Sequence, residues 1–453
     1  MLKAVKYRLY PNKEQEALFL RYFAACRYVY NIALEVKIYA YRAHGVTVSE
    51  YDLVKQLQEA KKENEWLKEF AAQTLNYEMT CLDLAYKAFF KTKKGFPKFK
   101  SRYDKQSCTF LQNSFVPDDQ HIDLPKVGLV KGSIHRRLEG VVKRITVSRS
   151  ASGKFYASAI VEMEESKHQL PGTGKAVGVD MGVRNLVTIH DSVSQDKVDL
   201  AGIIKSGKSE GMKRRLEHIQ ALIRRVQRHL SRKTEHRKRD KKERSKRQEK
   251  CRIRLARLKE KESFIRANLL HEISCGLTNQ YDTICIEDLA VKNMSRTAKG
   301  TVEEPGKNVK AKQGLNRVIV NSGLAMLRTQ IEYKAAQKGR KVVVVSRWEP
   351  SSKNCSHCGV KNTTLGSKTK WTCNNCGESH DRDGNAAKNI LAAGMAASDV
   401  LTEYTRGAER KTRNKKSGGR VSKEASTPEN YPTNKERKSR TKRIVAPQGV
   451  TDG

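Results

Sequence analysis

The sequence predicts a multidomain α/β protein, and three observations carry that expectation: its length, an alternation of strand and helix patterns after residue 175, and two cysteine pairs set close together between residues 355 and 376. At 453 residues the chain exceeds what one hydrophobic core usually organises, so two or more folded units are expected. Its 90 Lys and Arg against 49 Asp and Glu leave a formal charge of +41. That is far more than solubility requires, and it points to a polyanion as partner, nucleic acid first of all. No run approaches the ~18 apolar residues of a spanning helix, and no apolar signal segment follows Met1. A membrane role is therefore not expected, and a cytoplasmic location is.

From the N-terminus, KAVKYRLYP alternates Val5, Tyr7 and Leu9 as a strand does, and Pro11 ends it. Asn12 with Gln15 has the spacing of a capping box. It opens a helix to about Val36 whose apolar face is Leu18, Tyr22, Ala25, Val29 and Ile32, and more helix follows at 48–62 and 66–91. The stretch GFPKFKSR sets Phe96 and Phe99 among Lys98, Lys100 and Arg102, with Lys94 just before, a mixture suited to base stacking and phosphate contact. From 105 to 170 the text turns β-like through LPKVG, RITVSR and KFYASAIVEME, with a turn at Ser152 and Gly153.

Beyond Ala176 the expected order is strands at 176–181, 185–190 and, more weakly, 196–201, helices within 211–276, a strand at 282–287, a helix at 315–338, a strand at 341–346 and a helix at 384–394. The 315–338 helix carries Val320, Leu324, Leu327 and Ile331 on one face and stops at Gly339. The strand after it, KVVVVS, is apolar enough for burial on both faces. Three strands, helix, strand, helix, strand, helix is the element order of a ribonuclease H-like fold. There the first strand, the fourth strand and the last helix meet at one edge, which would gather Asp180, Glu287 and Asp383. Three converging carboxylates in so basic a protein call for cations between them. Hard oxygen ligands select Mg²⁺ or Mn²⁺, and two such ions ~3.5–4 Å apart activate a water, hold a scissile phosphate and stabilise the leaving oxygen. Phosphodiester hydrolysis is the expected chemistry, with Asp180 as the bridging ligand.

Cys355, Cys358, Cys373 and Cys376 form two CxxC pairs separated by fourteen residues. Two such knuckles supply four thiolates to a tetrahedral structural Zn²⁺, with no open position for chemistry. His357 and His380 stand as alternative ligands. The other six cysteines are scattered through apolar or helical stretches, as free thiols. Because the knuckles fall between the last sheet strand and the helix of Asp383, the ribbon is expected at the catalytic edge, guiding nucleic acid with Lys361, Lys368, Lys370 and Trp371. In the 211–276 segment, Leu216, Ile219, Ile223, Val226 and Leu230 on one side, and Cys251, Leu255, Leu258, Ile265 and Leu269 on the other, suit an antiparallel helical hairpin. Its tip, 232–250, holds eleven Lys or Arg against four acids, with Arg237, Lys238 and Arg239 as candidate duplex contacts. The loop from Ser295 to Lys312 is a candidate lid. Beyond about 397 the chain becomes a basic tail of low complexity, expected to be disordered.

Taken together, VGVDMGVRNLVT, CIEDLAVKNM, LNRVIVNSGLAMLRTQIEYKA, WEPSSKNCSHCG and CNNCGESHDRDGNAAKNI resemble the TnpB family of transposon-encoded proteins, related to the miniature type V CRISPR nucleases. The resemblance spans about residues 1–395. It implies an RNA-guided DNA endonuclease that takes a structured guide RNA from the transposon end and a double-stranded target DNA bearing a short adjacent motif. It implies Asp180, Glu287 and Asp383 as the catalytic RuvC-type triad and the four cysteines as zinc ligands. It also implies an oligonucleotide-binding-like β-barrel wedge domain (1–10 and 105–170) with an inserted helical recognition lobe (11–104). The RuvC-like nuclease domain (171–350 and 377–396) would carry the basic hairpin (211–276) and a zinc ribbon (351–376), with the tail at 397–453. One protein copy per RNA is the simplest particle, a dimer the alternative. Two rival readings share the acids: a guide-independent RuvC-like resolvase, and a non-cleaving RNA-guided DNA-binding regulator.

Overall fold

The structure is a computed structural model. It describes residues 2–397 except 93–94, 112–113, 164–168, 194–196, 199–207, 241–242, 302, 364 and 367. The basic tail from 398, Lys94, most of the weak strand at 196–201, and Lys241 and Lys242 of the hairpin tip lie outside the described residues.

The N-terminal half is one sheet and one helical insert sharing a core. Strand β1 (Leu2–Leu9) leads through the expected capping box, in which Asn12 Oδ1 accepts from the Gln15 amide at 2.7 Å and Gln15 Oε1 from the Asn12 amide at 3.2 Å. Helix α1 (Lys13–His44) runs past Val36 and ends only where Gly45 takes the left-handed conformation, φ 64°. Its buried stripe continues from Val29 to Ala33, four residues on, so Ile32 falls beside it and is exposed. Helices α2 (Glu50–Glu63) and α3 (Ala72–Thr92) follow.

Five more strands, β2 (Gln106–Phe110), β3 (His121–Leu124), β4 (Gly128–Ser133), β5 (Val141–Arg149) and β6 (Phe155–Glu162), complete an antiparallel sheet of order β2-β5-β6-β1-β4-β3. Strand β1 therefore sits in its interior, and among the described residues no pairing joins the edges β2 and β3 into a closed barrel. Phe19 and Phe23 of α1 pack on Phe155, and Tyr22 on Phe110. The helices and this sheet thus form one core rather than two lobes with separate interiors.

The second sheet has the strand order β11-β10-β7-β8-β9. Its members are β7 (Ala176–Asp180), β8 (Thr188–Asp191), β9 (Lys197–Val198), β10 (Thr283–Glu287) and β11 (Lys341–Val345). The first three pair antiparallel, while β7, β10 and β11 run parallel. Alternation divides its side chains cleanly. Val177, Val179, Ile284 and Ile286 face Leu270, Ile273, Leu277, Leu327 and Ile331 of two helices, while Ala176, Cys285, Val343 and Val345 face Ile390 and Leu391 of the last helix.

Two expectations change here. The 315–338 helix is two helices, α6 excepted from the pair as a short turn (Val291–Met294) ahead of them: α7 (Val309–Ser322) and α8 (Leu324–Lys338), broken at Gly323 with φ 75°. The break turns Val320 out to solvent, and only Leu324, Leu327 and Ile331 reach the core. The valine strand is not buried on both faces, because β11 is a sheet edge and Val344 remains 44% exposed.

Helices α4 (Lys208–Arg239) and α5 (Lys246–Gln280) form the expected antiparallel hairpin, with Ile219, Ile223 and Val226 buried and Gln248 Nε2 donating to Thr234 Oγ1 at 3.0 Å. Glu260 of α5 ties it to the first sheet, accepting from Ser152 Oγ and Tyr156 Oη, both at 2.9 Å. The cysteine segment closes with the hairpin β12 (Lys370–Thr372) and β13 (Ser379–Asp381), and the last helix, α9 (382–397), starts at the next residue. The ribbon therefore extends to Asp381 rather than 376. Among the described residues no helix is long and apolar enough to cross a membrane.

Candidate functional site

Parallel pairing of β7 with β10 sets Ile286 opposite Val179. Asp180 and Glu287, one residue further on each strand, therefore emerge side by side at the carboxyl end of neighbouring strands, ~4.8 Å apart in such a sheet. The third acid comes from α9. A Cβ at Gly178 would strike the Ala387 carbonyl and the backbone of Leu391, so the helix backbone lies directly on β7. Asp383 precedes Ala387 by one helical turn and shares its face, which carries it toward Asp180. Asn185, in the turn after β7, donates from Nδ2 to Asp383 Oδ2 at 3.1 Å.

The electrostatics report the same convergence. Burial pushes the Asp180 carboxyl up most, the charges of Asp383 and then Glu287 add to it, and Arg382 offsets part, leaving it raised to about 7. Burial, then Asp288, also raises Glu287. Among the described residues no lysine or arginine forms an ion pair with Asp180, Glu287 or Asp383. Asp288 behaves differently from its neighbour. Arg328 Nη1, at 2.7 Å, and Arg347 Nε, at 2.9 Å, bind its carboxylate and hold it below the usual range. Of the two consecutive acids ending β10, one is neutralised by arginine and the other is left to the cluster. Three acids with no ion-paired cation, one of them reluctant to ionise, have the donor chemistry a hard divalent cation takes, but their oxygens are not drawn within 4.8 Å of one another as the four cysteine sulfurs are.

The four cysteine sulfurs all lie within 4.8 Å of one another. Cys355 to Cys376 and Cys358 to Cys373 are each 3.6 Å, close to the ~3.8 Å edge of a tetrahedron with ~2.3 Å metal–sulfur bonds. The Val360 amide, then the Asn375 side chain, lower the Cys358 thiol to about 6. The cluster fits a structural metal held by sulfur alone. His357 is exposed. His380 is buried with its ring nitrogen Nε2 3.0 Å from Cys355 Sγ, and burial lowers its pKa; with its proton on Nε2 the ring would donate to that sulfur. Such a partner orients a ligand rather than replacing one.

Residues 325–390 match the family described as Cas12f1-like, TNB domain, residues 158–298 match "Probable transposase", and residues 1–45 match "Helix-turn-helix domain". In this chain that last segment is a strand and one long helix. The Escherichia coli (strain K12) protein named "Putative RNA-guided DNA endonuclease InsQ" is 34% identical over 400 residues, covering 87% of this chain and 93% of its own. A Streptomyces pristinaespiralis protein named for the same activity is 33% identical over 403 residues, covering 87% and 90%. The TnpB-like protein L79 of Acanthamoeba polyphaga mimivirus is 22% identical over 419 residues, covering 87% and 74%. The chain belongs to the TnpB family. Its fold is shared with Cas12f1, solved by cryo-EM in complex with sgRNA and target DNA, at a TM-score of 0.51 and 15% identity over 86% of this chain and 98% of that one.

The expected nucleic-acid contacts of this TnpB chain fare unevenly. Trp371 is not a stacking surface. It is 7% exposed, packed among the cysteines with its ring 4.7 Å from that of His380, because its strand turns it toward the metal cluster. Lys370, Lys361 and Lys368 are exposed. Lys100 is occupied: its ammonium lies 2.5 Å from the buried Glu78 carboxylate and 3.8 Å from the Tyr30 ring. Phe99 is 54% exposed, Phe96 leans on Tyr86 and Phe89, Lys98 is exposed, and Arg102 lies over Tyr103. In the hairpin, Lys238 is exposed, Arg239 pairs with Asp240 and His236, and Arg237 is half-buried. In the 295–312 loop, Lys312 Nζ donates to the Met294 carbonyl at 2.8 Å.

Sequence reasoning passed over Asn185, Arg328 and Arg347, whose roles depend on tertiary neighbours, and Trp348, which is 85% exposed. The signal for Trp348 was present: an aromatic directly after an arginine, in a turn leaving the sheet.

A carboxyl whose pKa rises on folding costs nothing below its unfolded value of about 3.9 and costs most above its folded value. In magnesium-free buffer Asp180→Asn should therefore be more stable than the wild type. The difference should open as pH rises from about 4 to 7, then level off at no more than about 4 kcal/mol. Urea unfolding across that range measures it, and a pH-independent difference would mean that the acids do not share a field. Removing the metal from the cysteine cluster with a strong chelator should red-shift the emission of buried Trp371. An unchanged spectrum would show that the sulfurs hold nothing the ribbon needs.

Proposed function

We propose that this chain is an RNA-guided DNA endonuclease of the TnpB type, hydrolysing target-DNA phosphodiesters in a RuvC-like site and so supporting maintenance of its transposon. The observation that carries this reading is the approach of Asp180 and Glu287, at the carboxyl ends of β7 and β10, to Asp383 at the start of α9, in a protein of charge +41 whose relatives bear that name. Asp180 would lie between two Mg²⁺ or Mn²⁺ ions with Glu287 and Asp383 completing their spheres, and the ions would supply an activated water and charge stabilisation at the leaving oxygen.

The chain's own side chains set the stage for that step. Asn185 fixes the Asp383 carboxylate, and Arg328 and Arg347 keep Asp288 from competing. The cysteine cluster would hold one structural Zn²⁺ and anchor the ribbon beside the acids. The antiparallel sheet and its helical insert correspond to the wedge domain and recognition lobe, and the basic hairpin reaches from the nuclease sheet toward phosphate. A guide RNA from the transposon end and a double-stranded target with a short adjacent motif are the partners, in the prokaryotic cytoplasm, with one protein copy per RNA.

The test is expression beside the native flanking DNA, followed by sequencing of the co-purifying RNA and a cleavage assay on matched and mismatched duplexes. A discrete RNA species, cutting of the matched duplex alone, and loss of cutting with retained RNA and target binding in Asp180→Ala are the expected results. Cutting that ignores the RNA would favour the resolvase, and binding without cutting by the wild type would favour the regulator.

A further inference from the structure

Trp348 is the most exposed large apolar side chain among the described residues, at 85%. An indole left in water is unfavourable unless something covers it in use, and the backbone that carries this one is held in a hydrogen-bonded turn. Its amide donates to Ser346 Oγ at 3.3 Å, and the Glu349 amide to the Ser346 carbonyl at 3.0 Å. Further along, the amides of Lys353 and Asn354 close on the Pro350 carbonyl at 2.9 and 3.0 Å.

Both flanks of this turn are fastened to the elements bearing the acids. On one side Arg347 binds Asp288, the residue after Glu287, while the Asp288 amide donates to the Val345 carbonyl at 3.0 Å. On the other, Asn385 and Asn389 of α9 reach the Ser351 and Asn354 carbonyls: Asn389 Nδ2 at 2.7 and 2.8 Å, Asn385 Nδ2 at 3.3 and 2.7 Å. Asn385, 2% exposed, also accepts from the Ser356 amide at 2.8 Å. A shift of the turn would therefore disturb Glu287 and Asp383 together.

We propose that Trp348 is a base-stacking platform for single-stranded DNA, holding one base of the substrate strand at a fixed offset from the carboxylate cluster. This rests on the endonuclease reading above for its substrate. Its occupant follows from the chemistry around it. A π-face near exposed Lys353, with Arg347 already paired to Asp288, in a chain of charge +41, suits an unstacked base whose phosphate lies toward the lysine. Duplex DNA keeps its bases stacked and would gain only the charge contact. Trp348 thus accounts for strand state rather than sequence, since every base has a face to offer.

The experiment uses the zinc-loaded full chain, with calcium in place of magnesium. Two probes of equal length are titrated: oligodeoxythymidine and a strand of abasic deoxyribose phosphates, at salt high enough to suppress purely ionic binding. Trp348→Ala should weaken oligodeoxythymidine binding about 5-fold or more and leave abasic-strand binding unchanged, while Trp348→Phe, which keeps a ring, should bind thymidine nearly as the wild type does. Indole fluorescence should be quenched by oligodeoxythymidine in the wild type and not in Trp348→Phe. Equal thymidine affinity for Trp348→Ala and wild type, or equal losses on both strands, would overturn the proposal. A stacking signal in a protein that cuts no guided target would sink the endonuclease reading and leave this one standing. Normal guided cutting with no stacking signal would do the reverse.

Discussion

Helix α9 has to lie on β7 closely enough for backbone to touch backbone, and the arrangement of the three acids depends on that approach. It is possible because residue 178 has no side chain, so the Ala387 carbonyl and Leu391 backbone occupy the space a Cβ would take. At Gly394 the same helix leaves room for the Cys285 side chain. With the helix seated in this way, Asp383 stands beside Asp180, and the pairing of β7 with β10 brings Glu287 level with them. The resulting repulsion is a cost to the metal-free fold. It persists because the surrounding core, Val177, Val179, Ile284 and Ile286 against α5 and α8, fixes the strands independently of the acids.

The cysteine ribbon belongs to the same construction. It joins β11 to α9, and its last strand runs into the helix without a spacer. The cluster of four sulfurs closes one end, and Asn385 and Asn389 stitch the preceding turn to the helix flank. A metal that folds the ribbon therefore also fixes where α9 begins, and with it the place of Asp383. This gives the metal site a reason to adjoin the acids that does not require it to touch substrate.

Much of this was legible in the sequence, for physical reasons that differ by element. The order of elements along the chain and the element ends at which the three acids stand could be read because burial imposes a period on each element. The capping box at Asn12 and Gln15 is local chemistry, and it appears as read. What escaped was whatever depends on a neighbour distant in sequence. Trp371 looked like a surface aromatic among lysines, yet the fold of the ribbon buries it. Lys100 looked free until Glu78, 22 residues away, claimed it. Gly323 carried a readable break signal, but the continuous apolar spacing across it masked the change of direction that exposes Val320.

Whether the three carboxylates form one divalent-ion site can be seen by anomalous scattering from crystals of the protein soaked in Mn²⁺. The account predicts two manganese peaks roughly 3.5–4 Å apart, enclosed by Asp180, Glu287 and Asp383. Well-ordered carboxylates with no peak between them, or peaks only elsewhere on the molecule, would contradict it.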